Sequence, residues 1–180
     1  MMTNSQQSGC RVRPATERDR PELARMRRAL QDLIADCDPG VWALSPAALA
    51  GLEQHYAGVM ASDTGRVFVA ADPDDRPVGM LMVRIVDNPN MDPRPIGRID
   101  DAWVDPGFRR QGLMRALTGA CCRFLLERQV PVVMLDWALR NEPSVLCWQG
   151  LGFEPRLAMG FTTPAAVLAG KGESNGHDNA

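Results

Sequence analysis

Apolar positions recur along this chain with two different periods, and the places where the period changes mark its elements. Leu23, Met26, Leu30 and Leu33 follow one another at steps of 3, 4 and 3, which sets them on one face of an α-helix, with arginines filling the other. Thr16 followed by Asp19 forms a capping-box pattern ahead of that helix, and alternation over residues 10–13 predicts a short strand before it. Pro39-Gly40 breaks the helical pattern. Ser45, as N-cap, and Pro46, at the first helical position, restart it through about residue 60. The period then falls to that of β structure. Residues 66–71 and 78–86 flank the turn-forming DPDDRP and predict an antiparallel hairpin.

Beyond the hairpin, DNPNMDPRP (87–95) reads as loop, 97–104 as a strand and 111–128 as an amphipathic helix. A strand over 132–137, a short helix over 141–151 and a final strand over 153–161 complete the order β-α-α-β-β-β-α-β-α-β. A strand-helix-strand crossover of this kind places strands 97–104 and 132–137 side by side and parallel, so the fold class is mixed α/β. The polar stretch 1–9 is expected to be a flexible tail, 10–163 the domain, and 164–180 a largely disordered C-terminal tail.

At 180 residues the chain suits one core, and its 45% hydrophobic and 23% charged content is that of a globular protein rather than a disordered one. A net charge of −2 offers no basic field for nucleic-acid phosphates, which removes nucleic acid as an expected partner. Cys10, Cys37, Cys121, Cys122 and Cys147 are odd in number and lack CxxC spacing, so reduced thiols are expected. The N-terminus is polar and no apolar run reaches the length of a membrane span, which predicts a cytoplasmic protein with no membrane partner.

The chemistry concentrates in IDDAWVDPGFRRQGLM (99–114). Val104 to Phe108 end a strand, and Arg109, Arg110, Gln111 and Gly112 lead into the helix. A helix N-terminus presents unpaired amides with the positive end of the dipole behind them, Gly112 permits close approach, and the arginines add charge. Either a diphosphate sits there or this is a solvated basic helix start; spacing fits both. Asp100 and Asp101 are adjacent on the strand and are therefore expected to face opposite sides. One of them is a candidate base; the alternative is that it pairs with an arginine such as Arg98.

V-x-P-x-F-R-R-x-G resembles the acyl-CoA loop of the GNAT superfamily of N-acetyltransferases, whose pattern is [Q/R]-x-x-G-x-[G/A]. Arg109 and Gly112 match, while Met114 stands where the family usually has Gly or Ala. Asn141 and Gly152-Phe153 in NEPSVLCWQGLGF resemble the family's second segment, N-x-x-[A/S]-x-x-x-[Y]-x-x-x-G-F. The resemblance implies a mostly antiparallel sheet with a splayed parallel strand pair, into which the pantetheine arm of acetyl-CoA inserts. It implies a clamp at the Val104 backbone and a diphosphate grip by the amides of Arg110, Gln111, Gly112, Leu113 and Met114. Asn141, Ser144 and Trp148 would lie near the cofactor.

The same resemblance implies direct transfer of an acetyl group to a primary amine of a small molecule, with no metal, and favours Asp100 over Asp101 as base. A homodimer is a further implication. Trp148 occupies the place of the family's tyrosine acid, which keeps open an acyl-CoA-binding module without catalysis; a protein N-terminal acetyltransferase is a third reading. Asp36, Asp38, Trp42, Glu53, Asp87, Asn90 and Asp92 would suit a cationic acceptor, or are solvated loop residues. Asp136 either faces the same pocket or pairs with Arg140. Tyr56, the single tyrosine, and His55 read more readily as packing and surface, and His177 lies in the tail. The two histidines are far apart with no spaced ligand cluster, and Cys147 has no histidine nearby, so neither a metal nor a cysteine nucleophile is expected.

Overall fold

The computed structural model describes residues 9–38, 43–90 and 92–169; Pro39, Gly40, Trp42 and His177 lie outside them. Strands β1 (Arg11–Pro14), β2 (Gly65–Ala71), β3 (Pro77–Val86), β4 (Ile96–Val104) and β5 (Val132–Leu135) form one sheet in chain order. The first three pairings are antiparallel and β4–β5 is parallel, so the mixed α/β sheet expected from the sequence is the one observed.

Helices cover both faces. From α1 (Arg20–Cys37) and α3 (Leu52–Ala61), Leu23, Met26, Tyr56 and Val59 pack on Val67, Val69, Met80 and Trp103. On the other face α4 (Leu113–Leu126) and α5 (Glu142–Gly150) bring Leu117, Cys121, Phe124 and Trp148 onto Phe68, Val83, Ile99 and Val104. β2 alternates between the two cores, which is why it reads as an unbroken apolar run. Among the described residues no helix is long and apolar enough to cross a membrane.

Three expectations need correction. The helix expected over 46–60 is two, α2 (Pro46–Ala50) and α3, parted at Gly51. The final strand over 153–161 does not form. Leu157, Met159 and Phe161 alternate as a strand would, but Pro155 removes a backbone donor, Gly160 weakens the run, and Leu157 is left 94% exposed with no core to cover it. Finally, part of the expected tail is ordered as α6 (Pro164–Leu168), because Thr163 Oγ1 accepts from the Ala166 amide at 3.1 Å and Pro164 opens the first turn.

α3 meets β2 closely. A Cβ at Gly65 would lie 2.8 Å from the Val59 carbonyl oxygen and 2.9 Å from Val59 Cγ1, whereas one at Gly58 meets nothing within 4 Å. Gly65→Ala should therefore cost about 1–3 kcal/mol by overpacking. Gly58→Ala, inside the helix, should gain about 0.5–1 kcal/mol. Opposite shifts of the denaturant midpoint check both.

Candidate active site

The register of β3 on β4 slips in the middle of the sheet. Leu81 faces Ala102 and Val83 faces Ile99, so Met82 alone stands opposite both Asp100 and Asp101. Two residues against one is a β-bulge, and it bends the strand that carries it. Parallel pairing ends at the same place. Ile99↔Leu135 is the last β4–β5 partnership, and beyond it the β5-facing edge of β4 has no strand beside it among the described residues.

The bulge also overturns the expectation that the two aspartates face opposite sides. Ile99 and Ala102 both pack in the α4-side core although they stand an odd three positions apart. Asp100 and Asp101 lie between them, and both turn towards the α1/α3 face. Asp100 accepts from Arg84 Nε at 2.7 Å and Arg98 Nε at 3.0 Å. Arg98 also reaches across to Asp136 at the end of β5, tying the two strands together just before they part. Asp136 therefore pairs with Arg98, while Arg140 pairs with Asp38 at 3.5 Å.

Asp101 is more deeply placed, with 6% of its surface exposed. Its Oδ1 pairs with Arg27 Nε at 2.9 Å, and its Oδ2 accepts from the Tyr56 hydroxyl at 2.9 Å. Burial is the largest influence on its carboxyl and raises its pKa above the ordinary aspartate value, against the lowering pull of Arg27 and Tyr56. The fully buried Tyr56 phenol is likewise pushed upwards, first by burial and then by the neighbouring carboxylate, so it stays protonated and donates. Neither Arg27 nor the working position of Tyr56 was anticipated. Arg27 stands four residues after Leu23 and three before Leu30, a spacing that places it on the inward stripe rather than among the outward arginines.

At the far end of β4, Asp105 receives Trp103 Nε1 at 2.8 Å and both terminal nitrogens of Arg25, at 3.1 and 2.7 Å, fixing the strand end against α1. A single 3-10 turn, Pro106–Phe108, leads out. Arg109 folds back: its Nε donates to the Val104 carbonyl at 2.9 Å and its guanidinium lies 4.9 Å from the Trp103 ring centre. The carbonyl expected to clamp pantetheine is thus engaged by the arginine expected to grip phosphate.

The backbone that follows carries the amides expected to meet the diphosphate. Arg110 (φ 61°) and Gly112 (φ 80°) both take left-handed conformations, and Gly112 caps α4. Among the described residues no protein acceptor takes the amides of Arg110 to Met114. Successive free amides at a helix N-terminus fit a diphosphate. Met114 does not fill this cradle, because its side chain packs into the α4-side core.

The second motif supports the first. Asn141 caps α5 by accepting from the Ser144 amide at 3.3 Å. Arg115, in the first turn of α4, donates to the Gly150 carbonyl at 3.0 Å. Trp148 is 5% exposed, meets Phe153 edge to face at 5.5 Å between ring centres, and packs in the same core as Leu113. Its role here is packing. Burial raises the Cys147 thiol, which makes it a poor nucleophile. Asp36, Glu53, Asp87, Asn90 and Asp92 are exposed, and none is ion-paired or hydrogen-bonded to the residues of the bulge.

The strand bulge at the parting parallel pair and the free-amide turn both fall within residues 27–153, which match the model of the acetyltransferase (GNAT) family. The chain belongs to the GNAT family. Among curated relatives, a mycothiol acetyltransferase of Saccharomonospora viridis is 34% identical over 94 residues, covering 51% of this chain and 31% of that protein, so the chain spans under a third of that relative's length. Among solved structures, a mutant form of the BH1408 protein from Bacillus halodurans superposes with a TM-score of 0.76 at 20% identity, covering 85% of this chain and 99% of that one. The aminoglycoside N-acetyltransferase AAC(6')-Iy in complex with CoA gives a TM-score of 0.64 at 19% identity, covering 85% of this chain and 98% of that one. At these identities the structural matches show a shared GNAT fold.

If the amide cradle is the diphosphate grip, Gly112→Val should weaken CoA binding at least about tenfold, since a β-branched residue at positive φ costs about 1–2 kcal/mol and crowds the approach. Calorimetric titration with CoA reads this directly, and an unchanged Kd would remove the loop from the site.

Proposed function

We propose that this GNAT protein is an enzyme that transfers an acetyl group from acetyl-CoA to the primary amine of a small molecule, by direct attack within a ternary complex. The observation that carries the reading is the buried Asp101, raised above the ordinary aspartate range at the point where β4 and β5 part, on the strand that ends in the free-amide turn. When bound, acetyl-CoA supplies a thioester carbonyl for the amine to attack. The amides of Arg110 to Met114 bind its diphosphate, and the unpaired edge of β4 beyond Ile99 supplies backbone partners for the pantetheine amides.

Attack requires a neutral amine, and Asp101 rather than Asp100 is placed to receive the proton. Asp100 accepts from two guanidinium groups, Arg84 and Arg98, which already engage both of its oxygens. Burial penalises the charge of Asp101 and raises its pKa above the ordinary aspartate value. It works through water, each of its oxygens keeping a second acceptor position beside Arg27 or Tyr56. As the new C–N bond forms and the C–S bond breaks, the nitrogen's proton passes to Asp101 and the departing thiolate takes a proton from solvent. Trp148, an indole in the core, donates none; a thiol of pKa about 8.5 leaves tolerably without one.

Asp101→Asn should lower kcat/KM by about 10²–10⁴ and Asp100→Asn by much less. The acidic limb of kcat/KM, where the base becomes protonated as pH falls, should lie above the ordinary carboxylate value of about 4. Because the Tyr56 hydrogen bond favours the carboxylate, Tyr56→Phe should move that limb to higher pH. Equal, mild losses in both asparagine variants with an unmoved limb would place the base elsewhere.

The buried Trp148 favours one alternative, an acyl-CoA-binding module without turnover. CoA binding with no amine-dependent thiol release would select it.

A further inference from the structure

The acceptor side of the bulge is electrically balanced. Arg27 is paired with Asp101, Arg84 with Asp100, and Arg98 with both Asp100 and Asp136. Three cations meet three carboxylates, so the face has no surplus negative charge to draw in a polycation. A polycationic acceptor would have to strip an arginine from each carboxylate it met, leaving half-buried guanidinium groups without partners.

The opening beside this network has the opposite preference. A cavity of about 380 Å³ adjoins Arg84 and is lined by Gln54, His55, Ser62 and Thr64 among others, with no carboxylate in its wall. Arg84 gives its Nε to Asp100 and keeps 47% of its side chain exposed. Its two terminal nitrogens have no hydrogen-bond partner among the described residues. Ser62 Oγ and Thr64 Oγ1 share one hydrogen bond at 3.0 Å, which leaves one hydroxyl proton of the pair and the Gln54 amide as donors in the same wall as the guanidinium fork; that set suits a carboxylate, and the Asp100 contact ties it to the bulge.

On the acetyltransfer reading, we infer that the acceptor is a small zwitterion, an amine whose own carboxylate sits on Arg84 in this cavity while its nitrogen lies at Asp101. The ammonium then arrives with its counter-charge, and the balance of the face is preserved. The aminoglycoside acetyltransferases that share the fold at under 20% identity carry no weight against this.

The test is thiol release from saturating acetyl-CoA with a panel of α-amino acids and dipeptides, each beside its methyl ester, together with spermidine and an aminoglycoside. The free acids should exceed their esters by about tenfold or more in kcat/KM, expressed in KM, as for loss of one charge-assisted contact. Arg84→Gln should collapse that ratio towards one, and Arg84→Lys should restore part of it. Esters equal to acids, or polycations ahead of both, would overturn the inference while leaving the transferase standing. Calorimetry of N-acetyl amino acids against the CoA complex gives an independent reading. Binding that depends on Arg84 in a protein that acetylates nothing would keep the carboxylate site and remove the transferase; no such binding and no acid preference would remove the site.

Discussion

β4 cannot pair with β3 and β5 along its whole length because it carries one residue too many. The surplus is taken up where Met82 faces Asp100 and Asp101, and from there the parallel ladder to β5 is lost. An unpaired strand edge inside a covered sheet is costly unless something completes it, since backbone donors and acceptors out of water need partners. On the proposed function that partner is the pantetheine arm of acetyl-CoA, which has amide groups of its own. The bulge thus produces both a slot with unmet hydrogen bonds and, in the same two residues, the carboxylates that stand over it.

Holding Asp101 there is expensive. A buried ion pair gains in Coulomb energy roughly what it loses in desolvation, so Arg27–Asp101 contributes little to net stability while making each partner costly to remove, by about 3–5 kcal/mol. The Tyr56 hydroxyl satisfies the second carboxylate oxygen from α3, so the two helices that cover this face each hold one oxygen. The carboxyl remains more basic than an exposed aspartate even with both partners, because burial outweighs them.

Much of this was legible in the sequence, at the level of elements and of the loop. The helical stripe through Leu23 and Met26, the hairpin around DPDDRP, and the strand-turn-helix at Arg109–Gly112 fold as their patterns indicate, because local propensity and burial agree there. What was not legible depended on register. That Asp100 and Asp101 share a face follows from a bulge, which a period-2 reading of one strand cannot contain. Arg27 was readable as inward from its spacing, yet its charge argued for solvent until its partner on a strand 74 residues away was known. Arg109 turned onto Val104 because the Trp103 ring and a strand-end carbonyl lie within its reach. Leu157 to Phe161 carried a strand pattern that nothing in the sheet completes.

The replacement of the family's tyrosine by Trp148 has a structural meaning beyond a missing acid. Trp148 shares its core with Leu113, the first residue of α4, and two residues on Gly150 accepts from Arg115 in that helix's opening turn. α5 therefore meets the start of α4 through a shared apolar core and the Arg115–Gly150 hydrogen bond. The start of α4 is where the left-handed Gly112 aims the free amides. A helix N-terminus positions an anion only as well as its own first turn is fixed, since those residues make the fewest intrahelical bonds. An indole buries more apolar surface than a phenol and carries no acidic proton. On the proposed acetyl transfer, the exchange favours a firm diphosphate cradle over assisted departure of the thiolate, and places the chemical demand on how far burial and the two partners of Asp101 let it draw a proton from the acceptor.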